Sequence, residues 1–444
     1  MTRPALPGPS SRDAEASPAT PAPSRRLVER LRATTVYRSI FRAPPVDSPR
    51  GRAQRTFGNV FLHIYPARVP RALLPLRSTY RLGFIATVLF GMLLLTGVYL
   101  MFFYTPAITM AYGDMQTLRT TVGFGQLIRN VHRWGGHLMV LVVGLHLVRT
   151  FLDGAYKEPR QFNWVVGVLL WVVTLAYSFT GYLLPWDQLS FWAVTVGSDL
   201  LQYTPGVGPL LRDYLLGGRT IGQATLLRFY VLHVAVLTAA FGALLAVHLW
   251  RVHKDGFALA PWRVAVGDVA GPSESRRVEP PTSAPRELGT VDVPPDRVRS
   301  RGPAEEVFTW PHLIVRHQVV ALATIALVIG MGVAFEAPLR EMANPNHTPE
   351  PAKAPWYFVG IQELLAHFDA TVAGVLAPAV LLGALLVLPY VDRSPHREPR
   401  RRRFARALFG CVLVAVVALT VIGAFFRGPG WAWVLPWEHL YFEP

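Results

Sequence analysis

Apolar positions along this chain fall into long unbroken runs separated by polar, charged connections. Seven runs are long enough for a helix to cross the hydrocarbon layer of a bilayer, about 30 Å thick. They lie at about 80–104, 131–152, 162–185, 226–251, 314–335, 371–390 and 405–426. Between the third and fourth, residues 189–216 (LSFWAVTVGSDLLQYTPGVGPLLRDYLL) are interrupted too often to span and predict short amphipathic helices. Residues 265–306 form a polar, Pro- and Arg-rich linker. The expected organisation is an arm over 1–50, a four-span domain over 51–264, the linker, and a three-span domain over 307–444. The arm lacks a continuous apolar stretch before Arg26, so it does not read as a cleavable signal peptide. Its first twenty or so residues have the composition of a disordered tail, and Leu27–Ile40 fits a short amphipathic surface helix.

Composition agrees with a membrane protein: 51% of residues are hydrophobic. The net charge of +16 changes the picture only through its location. Basic clusters occupy the arm, the loop with Lys157 and Arg160, the linker, and residues 397–406 (REPRRRRFAR). With seven spans, all four clusters fall on one side, and the acidic tail WEHLYFEP falls on the other. Positive residues mark the inside, so the N-terminus is expected in the cytoplasm and the C-terminus outside a cell (inner/cytoplasmic) membrane. The basic runs then serve topology and anionic lipid headgroups, and no nucleic acid is implied. A lone Cys411 excludes an intrachain disulfide, a Cys-x-x-Cys-His haem attachment and a four-cysteine iron–sulfur or zinc site.

The second run, NVHRWGGHLMVLVVGLHLVRT, carries His132 and His146 fourteen residues apart. At about 100° and 1.5 Å per residue they leave one helix face, about 21 Å apart along the axis. The fourth run repeats the device with His233 and His248, fifteen apart and about 60° past four turns. Single intramembrane histidines are often packing or proton-relay residues. Two per helix at matching depth instead suit two metal centres, each with imidazole on both sides, and haem iron fits best. His137, five residues from His132, points elsewhere and stays unassigned. The fold class expected is therefore an all-α integral membrane protein: a four-helix di-haem bundle plus three further transmembrane helices.

Glycines give a second constraint. Gly83 and Gly97 in the first run, and Gly167 and Gly181 in the third, are again fourteen apart. A flat macrocycle between helices requires close backbones, which glycine permits; ordinary small-residue helix packing is the alternative. Arg129, Arg133 and Arg149 stand beside the histidines, at levels where anionic haem propionates lie, although interfacial arginines also snorkel.

With these residues in hand, the chain resembles the cytochrome b family of bc/bf-type quinol:cytochrome c oxidoreductases, especially the bf branch. The resemblance rests on LIRNVHRWGGHLMVLVVGLHLVR, the glycine pairs, TGYLLPWDQLSFWAV (180–194), TLLRFYVLHVAV (225–236) and APWYFVGIQELL (354–365). It covers about residues 55–435, with the three-span part similar to a separate companion subunit of the bf branch. It implies two b-type haems, on His132/His233 and His146/His248, and quinol oxidation at the outer side near Pro185, Trp186, Trp356 and Tyr357. One electron would leave through a Rieske iron–sulfur protein. The other would pass through both haems to a quinone near the cytoplasmic face, with proton translocation. A c-type cytochrome subunit and a homodimeric complex are further implied partners. Two departures stand out. The family's covalent extra haem hangs on a cysteine where this chain has Arg81, so both haems are expected to be non-covalent. The family commonly reads Pro-Glu-Trp-Tyr where this chain has Ala354-Pro355-Trp356-Tyr357, so Glu363, two turns past Trp356, is the expected substitute proton acceptor. A di-haem anchor for a peripheral dehydrogenase, without bifurcation, remains the alternative, and a proton-coupled histidine transporter is a different class.

Overall fold

A computed structural model describes residues 65–257 and 306–437. The amphipathic helix expected at 27–40, nearly all of the linker and most of the acidic tail lie outside them. Seven helices are long and apolar enough to cross a membrane. They are α1 (Leu82–Met101), α3 (Gly125–Leu152), α4 (Gln161–Leu183), α7 (Gln223–Asp255), α8 (Thr309–Ala334), α10 (Thr371–Val391) and α11 (Arg403–Phe425). Each satisfies its backbone internally, as a segment in lipid must. Many large apolar side chains face outward, Leu95, Leu322, Val380 and Val414 among them, as lipid contact requires.

Short helices fill the connections: α2 (Ala111–Thr120), α5 (Gln188–Asp199), α6 (Gly208–Leu216) and α9 (Trp356–Leu365). The sequence reading anticipated α5 and α6 but not α2. Helix α5 starts where it does because Asp187 caps it, accepting from Ser190 N at 2.9 Å while Ser190 Oγ accepts from Asp187 N. A small antiparallel pair joins β1 (Arg68–Pro70) to β2 (Glu306–Phe308).

Helices α1, α3, α4 and α7 form the four-helix bundle. Its mid-membrane core includes Leu89, Met139, Val142, Leu170 and Phe241. The three-span block docks on this bundle at both ends. At one end Arg129 donates to Ala337 O (2.8 Å) and Pro338 O (2.6 Å), Asn130 Nδ2 to Gly332 O (2.8 Å) and Trp134 Nε1 to Phe335 O (2.8 Å). Asp187 Oδ2 accepts there from Arg340 N at 3.0 Å. At the other end Lys157 Nζ reaches Asp392 Oδ1 at 2.7 Å, and Arg402 donates to Tyr156 OH at 2.7 Å.

Helix α7 is not uniform. Leu232–Val236 is a π turn that contains His233 as its second residue. A π turn holds one residue more than an α turn. The fifteen-residue step from His233 to His248 is thereby reduced to the geometry of a fourteen-residue step. The offset of about 60° expected from a regular helix is corrected by that one inserted residue.

Candidate haem and quinone sites

The four histidines meet in two facing pairs across the bundle. The ring centres of His132 and His233 are 6.3 Å apart, and those of His146 and His248 6.4 Å. Two metal–nitrogen bonds of about 2 Å each, plus the two ring radii, account for a gap of this size. No cluster of three or more His, Cys, Asp or Glu able to hold a bare metal ion occurs among the described residues. The donor set at each level is thus two imidazoles, which suits a metal already held in a macrocycle.

Each of the four glycines abuts one of these histidines. A Cβ on Gly97 would stand 3.2 Å from His132 Cε1, and one on Gly83 3.3 Å from His146 Cε1. On Gly167 it would lie 3.5 Å from His248 Cε1, and on Gly181 only 2.5 Å from His233 Cε1. The fourteen-residue glycine period therefore mirrors the histidine period because each glycine receives one imidazole edge.

Two residues the sequence reading overlooked orient the His132/His233 pair, called outer after the side expected for it, with His146/His248 the inner pair. Thr96 Oγ1 spends its proton on Met92 O (2.8 Å), so towards His132 Nδ1 at 2.9 Å it can only accept. Thr180 Oγ1 likewise donates to Ala176 O and accepts from His233 Nδ1 at 3.2 Å, which also faces Tyr177 O at 3.1 Å. Both Nδ1 atoms must then carry the proton, leaving each Nε2 lone pair free for a metal. The signal was present: Thr-Gly occurs at both outer glycines, whereas Leu82 and Val166 precede the inner ones.

Each pair opens into a cavity. The outer one, about 260 Å³, runs from His132 and His233 past Arg133 and Tyr182 to Pro185 and Tyr357. The inner one, about 520 Å³, surrounds His146 and His248 and is ringed by Arg81, Arg149, Arg160 and Arg251. Arg133 lies over the Tyr182 ring at 4.8 Å, with its Nε unbonded among the described residues. Arg129 also borders the outer cavity, but both of its terminal nitrogens hold the carbonyls of Ala337 and Pro338, so its role is interdomain docking instead of propionate binding. Arg149 borders the inner cavity while paired to Asp153 at 2.6 Å.

The residues expected at the quinol site divide. Pro185 and Tyr357 line the outer cavity. Trp186 does not; it is packed into the core beside Phe191. Trp356 stands behind the wall, its Nε1 donating to His137 Nδ1 at 3.1 Å.

Glu363 corrects the sequence reading. It is 1% exposed and does not line the outer cavity. Arg427 grips both of its oxygens, at 2.6 and 3.0 Å, and Trp431 Nε1 and His367 Nε2 complete the shell at 3.0 Å each. Burial alone would raise its pKa, but the hydrogen bonds from Arg427, His367 and Trp431 outweigh that and hold it below the usual carboxylate range. A carboxylate so stabilised is a poor proton acceptor. Seven residues do bring Trp356 and Glu363 to one side of α9, but two turns separate them along its axis. Asp187 is similarly committed to capping α5 and holding Arg340 N.

The cytochrome b/b6/petB family model matches residues 71–256, and the C-terminal cytochrome b/b6/petD model matches 342–442. Cytochrome b of Cereibacter sphaeroides is 32% identical over 358 residues, 74% of this chain and 73% of that protein. The chain belongs to the cytochrome b family. Its bundle half is 42% identical to cytochrome b6 of Prochlorococcus marinus (strain AS9601) over 177 residues, 40% of this chain and 81% of that one. A solved chain of a hyperthermophilic respiratory Complex III superposes with a TM-score of 0.66 at 24% identity, covering 89% of this chain and 91% of that chain. At that identity the likeness speaks for the cytochrome b fold alone. Arg81, standing where the bf branch has its haem-bearing cysteine, is 4% exposed and donates to Leu74 O at 2.8 Å.

Proposed function

We propose that the chain is the membrane cytochrome b subunit of a bc/bf-type quinol:cytochrome c oxidoreductase that holds two non-covalent b-type haems and works at two quinone sites. The observation that carries this is the pair of facing histidine couples at two depths of one bundle, each opening into its own cavity. His132 with His233, and His146 with His248, would hold the haems. When bound, haem supplies one-electron carriers at two levels of the bilayer.

The chain's own residues do the rest. Thr96 and Thr180 fix the imidazole tautomer at the outer level. Tyr182, Pro185 and Tyr357 shape an apolar slot beside it for a quinol ring. Arg133, over Tyr182, offers a cation to an anionic haem edge or to charge developing at the ring. At the inner level Arg149 and Arg251 are paired to Asp153 and Asp255, and Arg81 and Arg160 leave a net positive field that favours propionates and the uptake of electrons by a quinone. The basic clusters support assigning this level to the cytoplasmic face. A Rieske iron–sulfur protein and a c-type cytochrome subunit complete the complex, which works as a homodimer in a cell membrane.

The test is to purify the complex and add quinol. Two b-type haem bands should be reduced, a c-type acceptor should be reduced in step, and haem staining should vanish from this polypeptide on denaturing electrophoresis. Two b haems with no quinol-dependent reduction of the c-type acceptor would instead make the chain a di-haem anchor.

A further inference from the structure

His137 on α3 has no role in the haem pairs. It lies five residues past His132, which on a helix is about 140° around and about 7.5 Å further along the axis, toward the bilayer centre. Its ring borders the outer cavity, with the Tyr357 ring 5.6 Å away and Trp134 5.4 Å away.

Its hydrogen bonding fixes its chemistry. An indole N–H can only donate, so Trp356 Nε1 at 3.1 Å obliges His137 Nδ1 to accept. In the neutral ring the proton must then sit on Nε2. That Nε2 is buried and has no hydrogen-bond partner among the described residues. A buried N–H without an acceptor is unfavourable, so a ligand that offers an oxygen there gains a bond at little cost. Trp356, which orients the donor, and Tyr357, which faces it, are neighbours in the chain at the start of α9.

We propose that His137 is a substrate-binding residue of the outer cavity. Its Nε2–H, aimed by Trp356, donates a hydrogen bond to a ring oxygen of quinol. This rests on the quinol-oxidising reading given above and names the group that holds that site's substrate. A haem propionate is the competing acceptor. Propionates lie toward the membrane surfaces, whereas His137 is deeper than His132 and turned away from it. No proton moves to His137: with Nδ1 engaged and Nε2 protonated, it binds and polarises the oxygen, and the proton leaves by another group.

The test uses the purified complex with His137→Ala, His137→Gln and Trp356→Phe. His137→Ala should leave both haem spectra unchanged and raise the KM for quinol about ten-fold, with kcat within about two-fold, as for loss of one buried hydrogen bond. His137→Gln, which restores an N–H donor, should recover most of the loss. Trp356→Phe, which frees the tautomer, should give an intermediate KM. Independently, the infrared carbonyl band of a bound short-tailed naphthoquinone, ¹³C-labelled at its carbonyls, should shift to higher frequency in His137→Ala. Wild-type KM and carbonyl band in that variant would overturn the assignment, as would an altered outer haem with unchanged quinol binding. If the unaltered complex oxidised no quinol, the functional reading itself would fail, and the infrared band would still report on His137.

Discussion

The outer and inner histidine pairs are almost equally wide, 6.3 and 6.4 Å, yet they are held by different means. Outside, threonine hydroxyls fix each imidazole, and a Cβ on Gly181 would stand only 2.5 Å from His233 Cε1. Inside, His146 Nδ1 has no hydrogen-bond partner among the described residues, the cavity is about twice as large, and arginines surround it. The clasps to the three-span block differ in the same sense. The outer clasp uses backbone carbonyls at Gly332, Phe335, Ala337 and Pro338; the inner one uses ionised Lys157, Asp392 and Arg402. Orientation dominates the outer site and charge the inner one. That division suits the two sites proposed above, one beside neutral quinol and one that must draw in negative charge.

The comparison breaks most sharply on ligand removal. His248→Ala should remove the inner haem and leave the outer one spectrally intact, read as loss of half the b-type absorbance. Retention of both haems would refute the pairing. Next comes the inner clasp. Asp392→Asn leaves Lys157, 5% exposed, and Arg402, 3% exposed, without their anion. Removing one partner of a buried pair typically costs about 3–5 kcal/mol, so thermal dissociation of the three-span block should come much earlier. The same clasp should be acid-labile. Burial pushes the Asp392 pKa up, but Lys157 and Tyr156 hydrogen bonds bring it below the ordinary value. A depressed folded pKa means the stabilisation is full above the unfolded pKa of about 3.9 and is lost as pH falls through the lower folded value. The outer clasp, built largely on carbonyls, should not follow that titration.

Gly181→Ala and Gly167→Ala sharpen the contrast between levels. The first would press a methyl to 2.5 Å from His233, the second to 3.5 Å from His248, an ordinary contact. Overpacking typically costs about 1–3 kcal/mol. Haem titration should therefore show weakened outer binding in Gly181→Ala and near-normal inner binding in Gly167→Ala. Equal effects would mean that glycine spacing, and not closeness to the imidazole, is what matters.

Much of this architecture is legible in the sequence because it depends on period. Span length, the histidine step and the glycine step are all properties of one helix read along its own axis. What escaped depends on partners distant in the chain. Glu363 was placed by its angle to Trp356, but Arg427 and Trp431, 64 and 68 residues later, decide its state. His137 was unassigned because only Trp356, 219 residues away, fixes which nitrogen carries its proton. The π turn at His233 was encoded in the fifteenth residue of the step, but a regular-helix reading spread that residue into rotation.

The smallest effect expected is at Thr96 and Thr180. Valine keeps the shape and removes the oxygen that accepts from Nδ1, so Thr96→Val and Thr180→Val would leave the packing intact while freeing the His132 and His233 tautomers. Loss of such an orienting partner typically weakens metal binding about 10–100-fold. The low end applies at His233, because Tyr177 O still accepts from its Nδ1 at 3.1 Å. Thr96→Val should therefore weaken outer haem binding more than Thr180→Val, and neither should move the inner haem. Thr150 gives the internal control: its hydroxyl donates to the His146 carbonyl at 2.7 Å and touches no imidazole nitrogen, so Thr150→Val should change neither band. Equal weakening by all three valines would show that the hydroxyls act through the helix backbone, and the difference between the two levels would then have to lie in charge alone.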